Sequence, residues 1–226
     1  MPDLSRATDV VCRHGWLSQL PVSFQQQLLP HMRLHTYTAG QFIYRRGDPL
    51  GGIYGLVSGV VAVDIAPPGE ECRLVQYGTP GSWTGEGCFL TRQPRRLDLR
   101  ACGEVSVIHV PLAAMDELAR GDAAVQGYIA QMLMSNVYVL MRIVHDLQIP
   151  QVDRRIASTM TRLQVAQSEA LPITQTELGQ LANASRRQVA AAFKRFIAQG
   201  WVEATYRSVR VTDAAALGRF ALAEEG

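Results

Sequence analysis

The stretch Thr174-Gln175-Thr176-Glu177-Leu178-Gly179-Gln180-Leu181-Ala182-Asn183-Ala184-Ser185-Arg186-Arg187-Gln188 carries two helix-start signals in close succession. In Thr174-Gln175-Thr176-Glu177, a hydroxyl and a carboxylate three residues apart can each satisfy the other's free backbone donor, which is a capping box. Ser185-Arg186-Arg187-Gln188 repeats the device. Leu178, Leu181 and Ala182 supply the buried side of the first helix, and Val189, Phe193, Phe196 and Ile197 that of the second. Asn183 tolerates the left-handed backbone that stops a helix, and Gly200 ends the second one. Two short capped helices joined by a tight turn predict a helix-turn-helix, its second helix spanning about residues 185–197.

Charge gives this pair a function. Arg186, Arg187 and Gln188 occupy the first turn of the second helix, where a helix entering the major groove presents side chains to base edges. Arginine can fork onto guanine and glutamine onto adenine. Lys194 and Arg195 lie further along, placed for phosphates, and the hydroxyl residues Thr174 and Ser185 stand at helix starts, where backbone amides favour phosphate. After Gly200, Trp201-Val202-Glu203-Ala204 and Ser208-Val209-Arg210-Val211 predict a small hairpin, or wing, with Tyr206-Arg207 between its strands. Thr174, Ser185, Arg186, Arg187, Gln188, Lys194, Arg195 and Arg207 are the expected DNA-contacting residues.

The remainder of the chain fits this reading. Residues 151–212 carry a formal charge of +5 and residues 1–150 of −1, within a total of +2 over 226 residues. A basic segment on a nearly neutral body is the electrostatic footprint of a module that meets phosphate. Hydrophobic residues at 47% and charged ones at 19% describe a folded chain and exclude general disorder. The most apolar run, Gly51 to Val63, falls short of the roughly 18 to 20 residues a membrane helix needs. Met1-Pro2-Asp3 opens without a basic flank followed by an apolar run, so a cytoplasmic location is the expectation.

From about Arg33 to Val110, glycine and proline punctuate short apolar runs every 8 to 12 residues, the pattern of antiparallel strands rolled into a barrel or sandwich. Ile53 to Val63 reads as two strands turning at Ser58-Gly59, and Ser23 to His31 as a short helix. Pro111 starts another helix, and Asp122 caps a long one running to about Leu147. Along it Ala130, Leu133, Val137, Leu140, Val144 and Leu147 recur in alternating steps of three and four, a coiled-coil seam. Ile129, Met132, Val139 and Ile143 form a second row. Two apolar faces suit two partners, one covering the β-roll and the other, through Leu133, Val137, Leu140, Val144 and Leu147, meeting the same helix of a second subunit; a single wide face buried within one domain is the alternative. Pro150 ends this helix and marks the domain boundary; Asp153 to Ala166 reads as helix and Leu171-Pro172-Ile173 as extended.

Taken together, the chain resembles the Crp/Fnr family, that of the cyclic-AMP receptor protein and the fumarate–nitrate regulator. Ile173 to Leu181 with Ser185-Arg186, and Asp153-Arg154-Arg155-Ile156-Ala157, carry the likeness, which extends over about residues 15–212. The resemblance implies an α+β chain: a cyclic-nucleotide-binding-type β-roll that senses an effector (1–121), a long dimerisation helix (122–149) and a winged helix-turn-helix (150–226). It further implies a homodimer on an inverted repeat of double-stranded DNA, RNA polymerase as a partner, a small effector of unknown identity, and no enzymatic activity.

In the family a Gly-Glu-led helix and a Pro-Arg loop hold ribose and phosphate. Gly85-Glu86 and Pro94-Arg95-Arg96 resemble them, with Glu86 on the ribose position and Arg95 on the phosphate position. Arg96 replaces a hydroxyl residue, and Leu140 and Met141 stand where cyclic-AMP binders place hydroxyls against adenine, so the effector pocket of Gly85, Glu86, Arg95, Arg96, Leu140 and Met141 argues against cyclic AMP. Cys12, Cys72, Cys88 and Cys102 lack the close spacing of an iron–sulfur or zinc site. Haem stays open through His14, His31, His35, His109 and His145. The alternative, a haem- or metal-containing sensor or a cupin-like metal enzyme, needs clustered ligands. The nearest pair is His31 and His35, which would share a face if that segment were helical.

Overall fold

The computed structural model describes residues 3–66, 69–164, 171–205 and 208–223. Packing divides the chain into two units, one of residues 1–72 and 77–138, the other of residues 73–76 and 139–226.

The first unit opens with α1 (Leu4–Arg13) and α2 (Val22–Leu28). Strands β1 (Arg33–Tyr37), β2 (Phe42–Tyr44), β3 (Ile53–Ser58), β4 (Val61–Ile65), β5 (Arg73–Gly78, whose first four residues are assigned to the second unit) and β6 (Trp83–Thr84) lead to helix α3 (Glu86–Thr91). Strands β7 (Asp98–Ala101) and β8 (Val105–Val110) and helix α4 (Leu112–Gly121) precede the long α5 (Ala124–Gln148). The strands form two four-stranded sheets, ordered β1-β8-β3-β6 and β2-β7-β4-β5. The β3–β4 turn falls at Ser58-Gly59 as read from the sequence, with Gly59 at φ +82°.

Two apolar clusters hold this unit. One lies inside the roll, where Ile43, Leu56, Val61, Leu99, Val105 and Val107 are buried together. The other joins α1, α2, β3, β8 and the beginning of α5 through Phe24, Leu28, Ile53, Ile108, Val125, Ile129 and Met132. Trp16 donates its indole N–H to the Tyr128 carbonyl at 2.7 Å, which places the polar edge of a buried aromatic. Helix α1 has no counterpart in the sequence reading. His31 ends a 3-10 turn and His35 lies on β1, so the helix on which these two would share a face is not present.

Helix α5 is capped by Asp122, whose carboxylate accepts from the Ala124 amide at 2.8 Å. Its two apolar rows fare differently. Ile129 and Met132 are buried, whereas Leu133, Leu140, Val144 and Leu147 of the seam are between 39% and 55% exposed. The helix stops before Pro150 as expected, but packing assigns its residues from Val139 onward to the second unit.

That second unit contains α6 (Val152–Gln164), α7 (Gln175–Leu181), α8 (Arg186–Ala198), β9 (Val202–Ala204), β10 (Val209–Val211) and α9 (Ala214–Leu222). The end of the helix expected to reach Ala166 lies outside the described residues. Strands β9 and β10 pair antiparallel, and Leu171 bridges to Val209. The core gathers Ile156, Met160, Leu178, Val189, Phe193, Phe196 and Leu217. Asp213 caps α9 by accepting from the Ala216 amide, and this helix, unread from sequence, brings Phe220 against Phe196 and Trp201 at ring separations of 5.7 and 5.6 Å.

Candidate nucleic-acid interface and effector pocket

Both capping boxes form. The Thr174 hydroxyl accepts from the Glu177 amide at 3.2 Å while the Glu177 carboxylate accepts from the Thr174 amide at 2.8 Å. Ser185 and Gln188 do the same at 3.3 and 2.9 Å. Asn183 takes φ +47°, the left-handed turn anticipated from its residue type. Gly179 is required there. A Cβ on it would stand 2.6 Å from the Ala184 carbonyl oxygen, inside contact distance, so only glycine lets the turn close this tightly.

Helix α8 buries Val189, Ala192, Phe193 and Phe196 and exposes Arg186, Arg187, Ala190, Ala191 and Lys194. None of these three cations enters an ion pair among the described residues. Three positive side chains flanking two alanines make an outward face that is charged yet narrow enough for the backbone to approach a groove closely. Ile197, expected in the core, is instead 48% exposed at the end of this face.

Several expected DNA contacts have other partners. Arg195 pairs with Asp153 at 2.6 Å and lies 4.6 Å over the Phe220 ring, so its charge is neutralised within the domain. Thr174, Ser185 and Gln188 are occupied by capping. The Gln188 carbonyl oxygen, the acceptor half of an adenine fork, already receives the Ser185 amide and hydroxyl. Arg210 is paired with Glu203 on the facing strand of the wing. Arg207 lies outside the described residues.

In the first unit, Gly85 begins α3 at φ +107°, and a Cβ there would meet the Gly52 carbonyl oxygen at 2.5 Å. Glu86, the first residue of the helix, accepts from the Asn136 side-chain amide at 2.8 Å. Arg95 is buried, donates to the Gly52 carbonyl at 2.7 Å and lies 4.3 Å over the ring of Tyr44. No carboxylate forms an ion pair with it among the described residues. Burial raises the Tyr44 hydroxyl well above the usual phenol range, although it shares a hydrogen bond of 3.0 Å with Thr84. Tyr54 stacks on His109 at 4.5 Å. Burial, helped by the nearby His35, Arg95 and Arg33, pushes the His109 imidazole down to about 4. It is therefore neutral at physiological pH, which suits a ring whose Nε2 is buried without a hydrogen-bond partner among the described residues.

Residues 34–122 match the cyclic nucleotide-binding domain family, and residues 154–220 match the Crp-like helix-turn-helix domain family. The chain belongs to the Crp/Fnr family of transcriptional regulators. It is 25% identical over 222 residues to a CRP-like cAMP-activated global transcriptional regulator of Mycobacterium tuberculosis, covering 93% of this chain and 98% of that one. It is 23% identical over 184 residues to the transcriptional activator protein anr of Pseudomonas aeruginosa, covering 77% of this chain and 74% of that one. Among solved structures, FixK2 from Bradyrhizobium japonicum superposes with a TM-score of 0.70 at 18% identity, over 86% of this chain and 99% of that one. The c-di-GMP responsive regulator CLP of Xanthomonas campestris does so with a TM-score of 0.64 at 21% identity, over 84% and 99%.

Against the family's effector pattern, this Crp/Fnr chain brings Gly85, Glu86 and Arg95 together, but Arg96 does not join them. Arg96 is exposed and donates to Gln93. Both arginines lie in the loop between α3 and β7, which buries Arg95 and leaves Arg96 exposed. Leu140 and Met141 are 54% and 59% exposed and belong to the second unit. Asn136 escaped the sequence reading. An asparagine within the apolar helix was the available signal, but its carboxylate partner lies fifty residues away in sequence.

Proposed function

We propose that this Crp/Fnr regulator acts as a homodimer, reading an inverted repeat with α8 of each copy in successive major grooves, about one helical turn apart. The exposed apolar stripe of α5 is the observation that carries this reading. Leu133, Leu140, Val144 and Leu147, half-buried Val137, and the neighbouring Tyr138 and Met141 leave a row of large apolar groups open to water on one chain. Their heptad spacing matches a second copy of the same helix. Arg186, Arg187 and Lys194 face the DNA, and Arg207 of the wing adds a phosphate contact.

The same reading makes the chain a cytoplasmic DNA-binding regulator with no reaction of its own, acting through contact with RNA polymerase. Its effector is a small anion. A buried guanidinium without a carboxylate partner is costly, and an anionic ligand at Arg95 offsets that cost. Relatives are named for responses to cAMP and to c-di-GMP. Here Arg96 stands where cyclic-AMP binders carry a hydroxyl residue, which favours an anion other than cyclic AMP.

Sedimentation of the full chain tests the dimer. The wild type is expected to sediment as a dimer at micromolar concentration and Leu140→Arg/Val144→Glu as a monomer with unchanged helical content. A monomeric wild type, or a variant that remains dimeric, contradicts the assignment of the stripe.

A further inference from the structure

Arg155, in the first turn of α6, hydrogen-bonds three backbone carbonyls from two separate segments. Its Nη1 donates to the Ile149 carbonyl at 2.6 Å, just past the end of α5. Its Nε donates to the Ala182 carbonyl at 2.6 Å and its Nη2 to the Asn183 carbonyl at 3.0 Å, both in the turn of the helix-turn-helix. Among the described residues Arg155 makes no ion pair, so the fork is directed wholly to main chain.

A second contact lies along the same face of α6, at Ser158 and Arg162. The carboxylate of Asp146, only 1% exposed on the last turns of α5, accepts from the Ser158 hydroxyl at 2.6 Å and from Arg162 Nε at 2.7 Å. Arg155, Ser158 and Arg162 follow one another at i, i+3 and i+7, so one stripe of α6 grips the end of the long helix on the far side of Pro150. The proline breaks the backbone ladder, and these side chains span the gap it leaves.

We infer that Arg155 is a positioning residue for DNA recognition: it ties the helix-turn-helix turn to the end of the long helix, with Asp146 as a second fixed point. The recognition helix then follows the helix end as one body. In the homodimer proposed above, on which this inference rests, the separation of the two recognition helices is set through Arg155. Guanidinium geometry is essential to the role, because a planar fork reaches three carbonyls at once and an ammonium group does not.

The test uses the full chain and compares operators with half-sites at the preferred spacing, at spacings one base pair longer and shorter, and as a single half-site. Wild type is expected to prefer its spacing on the order of tenfold, within the usual range of coupling between sites. Arg155→Gln and Arg155→Lys are both expected to flatten that preference while binding a single half-site as wild type does. Ser158→Ala, a milder change that leaves Arg162 on Asp146, is expected to flatten it partly, and it serves if the Arg155 variants fail to fold. A spacing preference kept intact in the folded variants overturns the inference, as does an equal loss on single and paired half-sites, which marks a merely structural residue. A wild type indifferent to spacing overturns the dimeric reading instead.

Discussion

Asn136 donates its side-chain amide to the Glu86 carboxylate at 2.8 Å and to the Trp83 carbonyl at 3.2 Å, so α5 is pinned to the start of α3 through a charged acceptor. Hydrogen bonds to charged groups contribute about 1.5–3 kcal/mol each. Asn136→Ala is therefore expected to lower the unfolding free energy by roughly that amount in urea denaturation. An unchanged midpoint would mean that water replaces the amide at no cost.

Gly179→Ala places a methyl group 2.6 Å from the Ala184 carbonyl oxygen, with backbone on both sides of the conflict. Overpacking of this kind costs about 1–3 kcal/mol. The variant is expected to melt at a lower temperature and to lose operator affinity, because the turn that aims α8 must open. Wild-type melting and affinity together would show that the turn accommodates a side chain.

Lys194 and Arg195 are adjacent in sequence but differ in use. Lys194 is exposed and makes no ion pair among the described residues, whereas Arg195 is held by Asp153 and Phe220. Lys194→Ala should reduce the salt dependence of DNA binding by about one unit of slope. Arg195→Ala should leave the slope unchanged and reduce thermal stability. A lowered slope for Arg195→Ala would place that guanidinium on the phosphates after all.

The depressed His109 pKa has a stability consequence. The unfolded chain binds a proton near pH 6.5 and the folded one only near about 4. Over that window the unfolded state holds more protons, so stability falls as pH drops from 6.5 toward 4. His109→Phe removes this contribution. Its melting temperature should decline less than that of wild type between those pH values, and parallel declines would show that His109 does not drive the acid sensitivity.

Legibility in the sequence followed the range of each interaction. The capping boxes, the left-handed Asn183 and the Asp122 cap are set by residues within a few positions of one another, and all appear where the pattern put them. Features that depend on distant partners were hidden. Arg155 reads as one basic residue among several until the turn some 27 residues on folds against it. Arg195 likewise looks like a phosphate contact because its neutralising partner, Asp153, is 42 residues away. Arg96 shows the same limit on a small scale, since adjacent cations suggest a shared anion, whereas the loop before β7 buries one of them and exposes the other.

The most direct test of the account is a binding selection: the full chain is mixed with fragmented DNA of its own source at near-physiological salt, and bound fragments are sequenced. A two-fold inverted repeat with half-sites about one helical turn apart is expected to be enriched. With Arg186→Ala, preference should relax at one symmetric position, by about 1–3 kcal/mol. Enrichment of an unrepeated site, or of no site with the anionic effectors of the source supplied, would contradict the dimeric reading of α8.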